Sequence, residues 1–207
     1  PKAVLRIISI FFLVSVFWAL FDQHASSWIR QAKMMDLAGF LPSQISALNP
    51  LMVMALIPFN NFILYPLLEA CGISMTPLKK MSIGMFVASL AFVAVALIQI
   101  RIETVGPGLV HVLWQVIPYL IMTQAEVMVS ITGLEFAYTQ APAKMKSTIM
   151  GFWLLSVSLG NKLTAVLTGF GDLSLAEFFW LFAGLMAVAA LLFTFRASFY
   201  KYRSYTQ

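Results

Sequence analysis

Charge is scarce in this sequence: only 10% of its 207 residues are Asp, Glu, Lys or Arg, against roughly 25% in soluble domains. With 61% apolar residues and a mean hydropathy of +0.90, that scarcity excludes an ordinary soluble domain and leaves an integral membrane protein. Cysteine is nearly absent. Cys71 stands alone, so neither an internal disulfide nor a CxxC metal spacing can form. No HExxH, GxSxG or glycine-rich phosphate loop occurs, which removes the usual sequence routes to a zinc hydrolase, a serine hydrolase or a nucleotide site. No low-complexity stretch or linker divides the chain, which reads as one domain. No Met opens it and no cleavable signal precedes Pro1, so a segment of a longer polypeptide is expected. The net charge of +5 does not imply nucleic acid, because the basic residues fall in short clusters between apolar runs.

Those runs number six, at about 4–23, 43–70, 77–100, 110–140, 147–170 and 177–199. Each supplies the roughly 20 apolar residues that a helix needs to cross a bilayer, and the expected fold is an all-α membrane bundle of six helices. The second run holds Pro50, Pro58 and Pro66, with Asn49 and Asn60 eleven apart on one face, and reads as a kinked helix beside a cavity. The third and sixth are plain, and are expected to face lipid. The fifth collects Trp153, Ser156 and Gly160 on one face. The connection from Ala25 to Pro42 is the longest, and an amphipathic outer segment is expected there. Lys79, Lys80, Lys144, Lys146, Arg196 and the basic residues at both ends fall on one side of this topology, against Arg30, Lys33 and Arg101 on the other. The positive-inside rule then puts both termini in the cytoplasm and Asp22 at an outer helix end.

Glu126 is the residue that composition does not explain. A charge at mid-membrane depth costs about 2.5 to 3.5 kcal/mol on insertion scales, so a carboxylate inside an apolar run signals function. On a straight helix its face collects Tyr119, Thr123, Ser130, Gly133 and Ala137, a polar and small-residue stripe. Glu135 lies about 13.5 Å along the axis and about half a turn round, too far for an acid/base pair. It is expected to contact a neighbouring helix or Lys144. A carboxylate satisfied by a neighbouring helix is the plain alternative for Glu126, as capping before Pro50 is for Asn49 and membrane-interface placement is for Trp18. His24 and His111 share no ligand spacing, and Lys162 reads as a snorkelling side chain.

The stretches FWALFDQHASSW (Phe17 to Trp28), LNP (Leu48 to Pro50), LYPL (Leu64 to Leu67) and LKKMSIGM (Leu78 to Met85) appear in that order. They are followed by EVMVSITGLEFAYTQAPAKMKS, from Glu126 to Ser147, and by GFWLL and LGN in the next run. Together they resemble the C-terminal half of the proton-dependent oligopeptide transporter family, within the major facilitator superfamily. The resemblance covers essentially the whole chain. It implies the C-terminal six-helix bundle of a proton-coupled symporter of di- and tripeptides, multi-pass in the plasma membrane or, in a bacterium, the inner membrane. The expected partners are peptides, protons, the lipid bilayer and an N-terminal six-helix bundle; no cofactor and no nucleic acid are implied.

By the same resemblance, Glu126 and Asn49 meet the peptide's amino terminus and Trp153 and Trp18 line its pocket; Ser130 and Ser156, on the faces of Glu126 and Trp153, are expected to bind substrate with them. Asp22 becomes an outer-gate charge and Arg6 an inner-gate one. Asn61 stands where animal relatives carry an aspartate that pairs with the base at the position of Arg6, so the pairing expected of Arg6 loses its anion. The ExxERFxYYG signature and the lysine facing the tenth-helix acid belong to the other half of the family's chain, and neither is present here. A membrane receptor built on a carrier half, or a membrane-embedded hydrolase, are the other readings open to the residues alone.

Overall fold

The computed structural model describes residues 2–168, 173–200 and 202, without the side chains of residues 2–6, 143 and 168. Within these residues, ten α-helices form six rods long and apolar enough to cross a membrane. The first rod is α1 (Lys2–Phe21), a 3₁₀ turn at Asp22–Ala25, and α2 (Ser27–Ala32). The second is α3 (Pro42–Ile45), α4 (Leu48–Phe59), a π-helical turn at Asn60–Leu64, and α5 (Tyr65–Ala70). The third is the continuous α6 (Pro77–Val105). The fourth is a 3₁₀ turn at Val112–Gln115, α7 (Val116–Glu126), a second π-helical turn at Val127–Ile131, and α8 (Thr132–Gln140). The fifth and sixth are α9 (Lys146–Thr168) and α10 (Leu175–Ser198).

Helix ends follow local chemistry. Pro77 starts α6 where a missing N–H costs nothing, and Gly106, at φ +102°, ends it in a conformation that other residues adopt only with strain. Ser174 and Glu177 form a reciprocal capping box: the Ser174 side chain accepts from the Glu177 N–H at 3.2 Å, and the Ser174 N–H donates to the Glu177 carboxylate at 2.9 Å.

The plain third run faces outward on one side only, where Ile83, Phe86, Leu90, Leu97 and Ile100 are exposed. α6 is the centre of the bundle, packed on α10, α7, α8 and α1, with Met81, Met85, Ala88, Phe92 and Val95 fully buried. Hydropathy cannot separate these cases, since a lipid tail and a protein interior are equally good solvents for an apolar side chain; small residues that admit close helices mark the difference. At Gly84 a Cβ atom would lie 2.7 Å from Val129 and 2.9 Å from Met128 of the fourth rod. α10 is two-sided in the same way, with Phe179, Phe182, Met186 and Phe193 buried on one side while Leu191 and Phe195 keep the expected outward apolar face. The second rod is the peripheral one: Leu51, Met54 and Phe62 are exposed, and its main neighbour is the fourth rod.

The segment after Ala25 continues the first rod, with Ser27, Trp28, Gln31 and Ala32 buried. Beyond it, the Asp36 N–H donates to Val110 and the Asp36 carbonyl accepts from Val112, which stitches this connection to the one before the fourth rod. Three buried glutamines tie the same end together. Gln115 donates to Gln31 at 2.9 Å and Gln31 to Gln99 at 3.1 Å, while Gln99 donates to Glu103 at 2.9 Å.

α9 meets α1 at Gly160, where a Cβ would lie 2.5 Å from the Ser15 carbonyl oxygen and 2.8 Å from the Ala19 nitrogen. Both are backbone atoms and cannot swing aside. Gly160→Val is therefore expected to destabilise the protein by about 1 to 3 kcal/mol. Gly151→Ala, at a position on the same helix open to 4 Å, should be neutral or stabilising by up to about 1 kcal/mol. Thermal unfolding in detergent compares the two, and equal stabilities would show that α1 and α9 are not held by close backbone approach.

Candidate functional site

The fourth rod presents Tyr119, Thr123 and Glu126 on one side of α7, at the three- and four-residue spacing that stacks side chains on a helix face. The Tyr119 hydroxyl donates to the His24 carbonyl at 2.8 Å, fixing the upper end of this stripe to the first rod. The Thr123 hydroxyl donates to the Tyr119 carbonyl at 2.7 Å, leaving its lone pairs for another donor. That donor is Asn49. Its Nδ2 reaches Thr123 Oγ1 at 3.1 Å and Glu126 Oε2 at 2.8 Å. Asn49 is buried and Glu126 half-buried. An amide donating to a carboxylate is a charge-assisted bond, and 2.8 Å falls in the range of such bonds.

No cation accompanies this carboxylate among the described residues; Asn49 is the polar side chain that it meets. A carboxylate desolvated by an apolar bundle and met by a neutral amide keeps its capacity to take an ammonium or guanidinium group.

The second rod touches the same turn a second time. Asn60, fully buried, donates to Gln124 Oε1 at 3.1 Å, and Gln124 Nε2 donates back to Asn60 Oδ1 at 2.7 Å. Between Asn49 and Asn60 the helix rises about 16 Å, whereas residues 123 to 126 span only about 4.5 Å, so the second rod crosses the fourth obliquely at this turn. The common face of Asn49 and Asn60 was legible in the sequence. Gln124 was not, although a glutamine in an apolar run was the available signal.

Below Glu126 the stripe read from the sequence is displaced. The π-helical turn at Val127–Ile131 adds a residue to the winding, and a residue more or less rotates the remainder of the helix by about 100°. Ser130 is half-buried, and Gly133 packs directly on the Trp153 ring, which a Cβ there would meet. Trp153 is 3% exposed and lies edge-on to Phe11 at 5.2 Å and to Trp18 at 6.0 Å. Ser156 is 2% exposed and donates to the Trp153 carbonyl at 2.6 Å. In this arrangement both residues are packed into the bundle and not presented on its open side. Trp18 is half-buried with its indole N–H enclosed and, among the described residues, unpartnered.

Asp22, half-buried in the 3₁₀ turn after α1, lies beside the Asn161 side chain of α9, with His24 nearby. The side chain of Arg6 lies outside the described residues. Asn61 is exposed on the second rod. Glu135 is exposed and forms no ion pair with Lys144 or a neighbouring helix among the described residues, contrary to the contact expected of it. It is free to face water or headgroups near its helix end.

An all-helical bundle of six membrane-length rods, with a half-buried carboxylate at the crossing of two of them, is the build of a multi-pass membrane protein. The chain belongs to the POT family: residues 1–181 match the family described as "PTR2: POT family". It is 32% identical over 203 residues to "Peptide transporter PTR2" of Saccharomyces cerevisiae, covering 92% of this chain and 33% of that protein. It is 40% identical over 110 residues to "Solute carrier family 15 member 1" of Oryctolagus cuniculus, covering 51% of this chain and 16% of the relative. Among solved structures, an auto-inhibited POT family peptide transporter superposes with a TM-score of 0.91 at 40% identity, over 100% of this chain and 43% of that one. The POT family transporter PepTSo superposes at 0.85 with 44% identity, over 95% and 41%. The chain thus spans a third of the yeast relative and less than half of either transporter structure. These relatives are peptide transporters and not enzymes.

The site geometry makes Asn49 the keeper of the carboxylate. Asn49→Ala removes a donor to a charged, half-buried group, a loss of about 1 to 3 kcal/mol. In a Glu126→Gln background the same change should cost less, because no charge is then left without its donor. A double-mutant cycle by thermal unfolding measures the difference, and strict additivity would mean that the bond contributes nothing.

Proposed function

We propose that this chain forms half of a proton-coupled symporter of di- and tripeptides, supplying the cavity wall that binds the peptide's amino terminus. The observation that carries the reading is Glu126, a carboxylate in the apolar bundle with an amide donor and, among the described residues, no cation beside it. A peptide's ammonium brings a full positive charge and up to three N–H donors, which such a carboxylate accepts as charge-assisted hydrogen bonds. Thr123 and Asn49 offer further polar atoms within one turn. A proton on Glu126 cancels the charge that holds the ammonium, so proton and amine compete for one group. Movement of the proton down its gradient can then release or admit the peptide.

Transport needs a second wall. The proposed partner is an N-terminal six-helix bundle, and alternating access is the rocking of the two about a site near the bilayer midplane. Both termini of this half face the cytoplasm of a cell bounded by the plasma membrane, or by the inner membrane in a bacterium. Asp22 serves as an outer-gate charge that exchanges Asn161 for a basic group of the facing bundle, and Arg6 works at the inner mouth. Trp18 closes the aromatic side of the pocket. Trp153, Ser130 and Ser156 belong to the same wall, with Trp153 and Ser156 reached only when α9 shifts against α1.

Glu126→Gln keeps the side chain's shape and removes its charge. In the full-length carrier, affinity for peptides with a free amino terminus should fall by at least about tenfold, the worth of one charge-assisted bond. Amino-acetylated analogues should bind nearly as before. Competition uptake with both peptide types reads this directly, and an equal loss for the two would assign Glu126 to the fold or to a gate.

The outer-gate reading has its own test. Asp22→Asn in the full-length carrier should raise the labelling of cysteines placed in the outer cavity, as the outward-open state gains population. Unchanged labelling together with unchanged uptake would remove Asp22 from the mechanism.

A further inference from the structure

Beyond Ile45, Leu48 and Met52, which pack on the main core near its start, the second rod has little apolar hold on the bundle. Tyr65 and Met75 form with Met128 a small cluster apart from the main core, while Leu51, Met54, Phe62 and Leu67 are exposed. In lipid an exposed apolar face favours no register or rotation, so polar contacts must set both. Two do so, on different flanks of the fourth rod. At about 100° per residue, Gln124 and Glu126 point about 160° apart around the helix. Asn60 holds the first and Asn49 the second.

The Asn60–Gln124 contact is a closed pair, in which each amide both donates and accepts. Two parallel bonds fix orientation as one cannot. Asn60 Nδ2 also donates to the Leu56 carbonyl at 2.7 Å, which fastens the side chain to its own helix. The pair sits where both backbones are least regular. Asn60 opens the π-helical turn of the second rod, and Gln124 lies three residues before that of the fourth.

We propose that Asn60 and Gln124 are positioning residues for the amine site. Their amide pair fixes the rotation of the fourth rod against the second, and so keeps the Glu126 carboxylate aimed at Asn49 and at an incoming ammonium. The inference rests on the reading of Glu126 as the amine anchor. Without the pair, the second rod can turn against the fourth, which α6 and the Tyr119 bond still hold, and as Asn49 moves off the Glu126 carboxylate the acid loses its aim while keeping its charge.

The test uses the full-length carrier with Asn60→Leu, with Gln124→Met, which keeps side-chain length without the amide, and with the exchange Asn60→Gln/Gln124→Asn, which restores an amide pair. KM and kcat are measured for a dipeptide with a free amino terminus and for its amino-acetylated analogue, normalised to the amount of carrier in the membrane. Either single variant should raise KM for the free-amine peptide by up to about tenfold, the most that a neutral hydrogen bond contributes. KM for the acetylated analogue should stay within about twofold, and the exchange should recover most of the loss. A pair that merely supports the fold would lower abundance and affect both peptides alike, which would overturn the proposal, as would wild-type kinetics in both single variants. Glu126→Gln is run beside them. If it discriminates the two peptides and the amide variants do not, the positioning role falls and the anchor stands; if it does not discriminate, both fall.

Discussion

Close approach of backbones is the constraint on which this bundle depends. In a chain so apolar, burial alone cannot choose between protein and lipid, because leucine is equally at home in either. What chooses is the fit at a few small residues. Gly84 seats α6 against the fourth rod, Gly133 makes room for Trp153, and Gly160 lets α9 rest on the backbone of α1. The aromatic side chains then fill what remains: Phe92 lies between Trp28 and Phe182, with ring centroids 5.7 and 5.9 Å away.

Polar side chains act where the close packing stops. The glutamines at positions 31, 99 and 115 bind the connections at one end of the bundle. Asparagines bind the peripheral second rod near its middle. Each amide spans two rods and satisfies groups that lipid could not. The acid among them, Glu126, is received by an amide and, among the described residues, not by a base, which sets it apart from a structural ion pair.

Much of this was legible in the sequence. Six runs of the right length gave six rods, and the third began at Pro77 as its run did. Glu126 stood out because charge is costly in lipid, and Asn49 and Asn60 shared a face by their spacing. The buried face of α6 escaped the sequence for a plain cause: the small residues that bury it, Gly84, Ala88 and Ala96, also read as ordinary hydropathy. Trp153 illustrates another limit. Its helix face could be read, but whether that face opens to a cavity or closes on Phe11 and Trp18 depends on how far apart two rods stand. The π-helical turns were invisible because they have no composition of their own.

Those turns bear on how relatives of this chain should be aligned. A π-helical turn stores one residue beyond the α-helical count, so gaining or losing it shifts the chain by one position in the middle of an unbroken membrane helix. A single-residue gap beside Val127–Ile131 in a homologous sequence would therefore be no alignment artefact to be slid into the nearest loop. It would be a change of winding, after which residues in the same column of the alignment look out in different directions.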